Sequence, residues 1–164
     1  DTHLTKIKGR NVLFIVNASN RYTIAMTDIE PRNWNYYTMY IRSVIHGVMQ
    51  EMGYSEDQIG QYFKMSGDTT VTKTHGRKSV GGINRMVMDA QYFGKKLEKE
   101  AKYQWELSEY LNRDICQPEG FDAYGYPSEL FKLDMERLGI VAKRKPAKII
   151  DFTKYIDTNR STNH

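Results

Sequence analysis

With a single cysteine, Cys116, the 164-residue chain can form no internal disulfide and no cysteine-built zinc cage, and a reducing, cytoplasmic setting is expected. Long hydrophobic runs are also missing. The longest, Val12 to Val16, is far short of the roughly 20 residues a membrane helix requires. No apolar stretch of the kind a secretory signal uses opens the chain, so no membrane partner is expected. Histidine is scarce: His3, His46, His75 and His164 stand in no H-x-x-x-H or H-E-x-x-H spacing, and neither a metal nor a cofactor is expected. The P-loop spacing G-x-x-x-x-G-K-S/T is absent, as are the G-x-S-x-G elbow and a strand-associated G-x-G-x-x-G. Acidic neighbours should raise the Cys116 pKa, which argues against a thiolate nucleophile.

What is present suits one globular domain. Apolar residues make up 40% and charged residues 27%, neither disordered nor fibrous, and there is no repeat or low-complexity tract. A domain over 1–140 and a basic C-terminal tail over 141–164 are expected. The net charge of +4 conceals blocks: 64–85 carries +4, 114–136 carries −5, and 137–164 carries +5. A basic segment attracts phosphate-bearing partners, although this excess is too small to indicate DNA binding by itself.

The hydrophobic pattern predicts an α+β fold, a small antiparallel sheet with helices packed on one face. His3–Ile7, Asn11–Val16 and Arg21–Thr27 read as a meander, with Lys8-Gly9-Arg10 and Asn17–Asn20 as turns and the middle strand buried on both faces. Pro31 suits a first helical turn, and an apolar stripe from Trp34 to Met52 ends at Gly53. Ser55 and Gln58 form a capping box for a shorter helix. A fourth strand is expected over Thr69–Thr74. One long helix should then run from Ser79 or Val80 towards Leu111, kinked at Gly94, with Glu98–Lys102 as an exposed pair. A loop over 114–127 precedes a last helix capped by Ser128 and stopped by Gly139.

Two separated motifs, Asn17-Ala-Ser-Asn-Arg-Tyr22 and Thr72-Lys-Thr-His-Gly-Arg-Lys-Ser-Val80 followed by Asn84, occur in order. In these the chain, over residues 3–95, resembles an uncharacterised bacterial domain-of-unknown-function family with an N-x-x-x-R-Y hairpin and a T-K-T-x-x-R-x-S-V-x-x-x-N segment. The resemblance implies a bacterial or phage origin and brings no activity. Family members commonly begin with a further helix ahead of the hairpin, so the start at Asp1 is expected to be a trimmed or processed one.

The densest polar cluster runs from Asp68 to Asn84. A strand ending at Thr74, a turn bearing His75, Arg77 and Lys78, and a helix opening at Ser79 would place cations beside unpaired backbone N–H groups. Gly81 and Gly82 would let a ligand approach the first turn. That is the construction of a phosphate site, with Lys73, His75, Arg77, Lys78, Ser79 and Asn84 as ligand-binding candidates and Ser79 doubling as the helix cap. The leading expectation is non-catalytic binding of a nucleotide or nucleic acid there. Two alternatives stand beside it. His75, kept neutral by nearby cations, and Asp68 could form an acid–base pair for phosphodiester cleavage. Alternatively, Tyr36, Tyr37 and Tyr40, with Tyr124 and Tyr126 of the acidic loop, could serve a protein partner or a homodimer. Within the basic tail, Lys143-Arg144-Lys145-Pro146 with Lys148 could contact nucleic-acid backbone, with a solvated terminus as the default expectation. His46, on an apolar helix face, is expected to be packed or partly exposed rather than a ligand.

Overall fold

Local chemistry sets the first hairpin. In the computed structural model, which describes residues 1–29, 36–69 and 76–143 (Lys78 and Ser79 by backbone alone), β1 (Thr2–Ile7) pairs antiparallel with β2 (Arg10–Val16). The two connecting residues, Lys8 and Gly9, have φ of 49° and 81°, the left-handed pair whose twist matches that of the flanking strands. β3 (Thr23–Thr27) pairs antiparallel with β2 to complete a sheet ordered β1-β2-β3. The expected fourth strand over Thr69–Thr74 lies, apart from Thr69, outside the described residues.

Five helices accompany the sheet: α1 (Tyr37–Glu51), α2 (Glu56–Ser66), α3 (Arg77–Gln91), α4 (Trp105–Asn112) and α5 (Pro127–Arg137). They cover both faces, not the single face expected. β2 explains why, because its residues from Val12 to Val16 are buried whichever way they point. Val12, Phe14 and Val16 pack with Ile83, Met86 and Ala90 of α3 and Leu107 and Leu111 of α4. Leu13 and Ile15, with Tyr22, Ile24 and Met26, pack against α1, α2 and α5. Removing the fully buried Phe14 ring should cost about 3–5 kcal/mol.

The long helix expected from residue 79 to 111 is two helices. Its apolar residues are real core, with Phe93 and Leu97 buried, but residues 92–104 leave the helical path. The reason is the free edge of β3. Thr27 N–H donates to the Lys102 carbonyl (2.7 Å), Gln104 N–H donates to the Ala25 carbonyl (2.9 Å), and Tyr103 bridges to Met26. Helix α4 continues the job with side chains. Ser108 Oγ accepts Ala25 N–H at 2.9 Å, and Asn112 both accepts Thr23 N–H and donates to its carbonyl, each at 2.8 Å. An unsatisfied buried edge costs more than a few residues of helix, so the edge wins. Glu98 and Lys102 are therefore no helical pair; Lys102 lies over the Tyr40 ring, 5.9 Å from its centroid.

Helix ends follow their caps. Ser55 and Gln58 form the expected reciprocal capping box of α2. Gly53 and Gly139 take φ of 87° and 71° past α1 and α5. Ser128 is not a cap: Tyr126 occupies that position and Pro127 opens α5, where its missing N–H costs nothing. Pro31 and Trp34 lie outside the described residues, as do positions 144–164 of the basic tail.

Candidate ligand site at the start of α3

Helix α3 opens two residues earlier than expected. Gly76, with φ of 85°, is the N-cap, so Ser79 sits inside the first turn and is not the cap. No side chain caps this terminus and no acidic residue lies in its first turn. Its four leading N–H groups and the positive end of the helix dipole are thus left unneutralised by the helix's own side chains.

The sequence candidates divide. Arg77 and Asn84, two helical turns apart, fall on one exposed stripe with Gly81, where an added Cβ would meet nothing within 4 Å. Asp68 is exposed beyond α2, and Arg42 contacts its flanks at the Gly67 carbonyl (3.3 Å) and Thr69 Oγ1 (3.4 Å). Lys73 and His75 lie outside the described residues, and the side chains of Lys78 and Ser79 are not described. Because it rests on His75, the expected Asp68–His75 acid–base pair lies outside the described residues.

One residue of the site comes from far away in the chain. Arg21, from the first motif, lays its guanidinium on the second turn of α3: a Cβ added to Gly82 would fall on Arg21 Nη2, at 1.1 Å. Arg21 holds a left-handed backbone, φ 68°, with its N–H donated to the Asn17 carbonyl at 2.8 Å. Such a conformation costs a non-glycine residue about 1–2 kcal/mol, a strain that tends to be retained where a side chain must be aimed. Burial lowers the Arg21 pKa, while Cys116 and Glu119 raise it; a guanidinium remains charged throughout. The signal was available as two facts, an arginine inside the first motif and a glycine doublet after the second.

Arg21 borders a cleft of about 330 Å³ between α3 and the 114–127 loop. Arg85 lines it too and is held by Asp89 at 3.2 Å, and Asp114 lies at the same cleft. Cys116 borders it with a thiol whose pKa is raised, first by burial and then by Asp114, against the opposing effect of Arg21. The expected direction is correct, but burial outweighs the acidic neighbours. Among the described residues, no group of three His, Cys, Asp or Glu is placed to hold a metal ion.

Other side chains of the first motif shape the turn between β2 and β3. Asn17 Oδ1 accepts Ser19 N–H (2.9 Å), and Asn20, fully buried, accepts Tyr22 N–H (2.9 Å) and donates to Asp134 of α5 (2.8 Å). The tyrosines do not form one surface either. Tyr36 is exposed, Tyr37 is buried and Tyr40 is partly covered, whereas Tyr124 and Tyr126 are exposed in and beside the acidic loop. His46 is partly exposed and pairs with Glu56 at 2.9 Å.

A three-stranded meander clasped between helices on both faces, with two sequence motifs meeting at α3, defines a small α+β domain. The chain belongs to the family described as a domain of unknown function, DUF6933, whose model matches residues 1–130. The match takes in both motifs and every described element as far as the first turn of α5. No curated protein and no solved structure matches the chain. No helix among the described residues is long and apolar enough to cross a membrane.

Proposed function

We propose that this domain is a non-catalytic binder of a phosphate-bearing ligand, a nucleotide or nucleic acid, at the start of α3. The carrying observation is the Arg21 guanidinium pressed onto Gly82, which brings the first motif's cation to the helix whose N-terminus the second motif supplies. Arg77 and the open backbone at Gly81 support the same reading from the neighbouring stripe. Phosphate oxygens would accept from backbone N–H groups, with guanidinium forks closing the charge. Bacterial or phage origin and a cytoplasmic setting complete the proposal.

The test is thermal melting with inorganic phosphate, mono- and cyclic nucleotides, and short RNA and DNA. A ligand at 100 times its dissociation constant adds about 2.7 kcal/mol, or roughly 5–10 °C in a domain of this size. A salt-sensitive shift abolished by Arg77→Ala supports the site and names its ligand class. No shift with any of them removes the proposal and favours protein interaction through the exposed Tyr124 and Tyr126.

A further inference from the structure

On the opposite side of the sheet, α1 packs on the strands with Val48 and Met49 buried but does not fill the whole space between them. Between them lies a cavity of about 440 Å³, the size of a small-molecule pocket. Its walls are Ile15 and Ile24 of the sheet and Ile41, Ile45, Met49 and Met52 of α1. Ile41, Ile45 and Met52 are only partly buried although they belong to the core cluster on this face. The space opens to solvent, and its volume and largely apolar lining with a few polar groups are those of a small-molecule pocket.

We propose that this cavity binds a small uncharged aromatic molecule bearing one hydrogen-bond-accepting group. Charge complementarity sets the first requirement. The walls are mainly apolar, with Asp1 the one charged residue among the described lining, so a neutral ligand meets them at the least desolvation cost. The aromatic requirement comes from one wall, where Tyr22 and Tyr62 meet Phe131 with centroids 5.1 and 6.0 Å apart, tilted at 45° and 51°. Such clusters accept a further ring edge-on or offset. The accepting group is called for by Asn17 and Tyr62, both at the cavity, where Asn17 Nδ2 already donates to the Tyr62 hydroxyl at 3.2 Å. That hydroxyl is left with its proton to donate. Burial pushes the Tyr62, Tyr22 and Tyr37 phenols upward, so each is a protonated donor at neutral pH. The site is independent of the phosphate reading, which concerns the other face of the sheet.

Methyl-resolved NMR of the full chain at pH 7 tests this with 2-naphthol and 2-acetylnaphthalene as neutral probes and 2-naphthoate as the charged counterpart. Saturable shifts of the Ile41, Ile45 and Met49 methyls are expected with at least one neutral probe, and binding of the naphthoate about tenfold weaker than that of the naphthol. Ile45→Trp should fill the cavity and abolish the shifts. Should that variant fail to fold, Tyr62→Phe, which removes the donor and keeps the ring, is expected to weaken 2-naphthol about five- to tenfold. Absence of saturable shifts with both neutral probes, equal affinity for the naphthoate, or unchanged binding in a folded Ile45→Trp or in Tyr62→Phe overturns the proposal.

Discussion

Asn112→Ala is the substitution that most directly probes how this fold closes. The Asn112 side chain acts as a one-residue substitute for a missing strand, matching both polar groups of Thr23 at 2.8 Å with both residues almost completely buried. Truncation leaves the Thr23 N–H and carbonyl without those partners, and each unsatisfied buried group costs about 1–3 kcal/mol. The sum, about 2–6 kcal/mol, is a large part of the 5–15 kcal/mol by which small domains are stable. At roughly 2–4 °C per kcal/mol for a chain of this length, the expected fall in Tm is about 10 °C. Urea unfolding is the assay, because a lower midpoint at unchanged slope isolates stability from a change in the unfolded state. Glu109→Gln on the same helix is the control. It removes only the surface pair with Arg113 at 3.2 Å and should cost no more than about 0.5 kcal/mol. A loss below about 1 kcal/mol for Asn112→Ala would refute the reasoning, since it would mean that water reaches the β3 edge and α4 is not needed to satisfy it.

Three further outcomes are expected. Gly82→Ala must displace the Arg21 guanidinium but gains helix propensity, so stability should stay within about 1 kcal/mol of the parent while any phosphate-ligand shift shrinks; an undiminished shift would exclude Arg21 from the site. Gly120→Ala meets backbone, with Ser19 O at 2.6 Å from the new Cβ, and should cost about 1–3 kcal/mol in urea unfolding; a neutral result would show that the 114–127 loop moves freely from the hairpin. Cys116 should be alkylated by iodoacetamide at pH 8 more slowly than glutathione, because burial favours its protonated form. Its raised pKa contributes stability that is present below the ordinary thiol value and lost as pH rises through the folded one, so stability should decline on the alkaline side.

Elements governed by short-range chemistry were legible in the residues themselves. The Lys8-Gly9 turn, the doubly buried β2, the α2 capping box and the glycine ends of α1 and α5 each depend on a few adjacent side chains, and all formed where expected. The helix over 92–104 misled because its apolar spacing reports burial, and burial is satisfied equally by an irregular segment. Position 104 shows how: the Gln104 side chain donates to the carbonyls of Ala101 (2.6 Å) and Glu98 (2.9 Å), replacing the helical ladder.

The candidate site divides along the same line. Its helix N-terminus and the Arg77–Asn84 stripe depend on spacing along one helix, which the order of residues determines. Arg21 lies 61 positions before Gly82, and nothing local says that its guanidinium will rest there. Only the tertiary structure decided that contact, along with the covering of β3 by α4 and the open space beneath α1. Those arrangements arise when helices compete for the two faces and the free edge of one small sheet, a competition decided by packing and polar satisfaction across the whole chain.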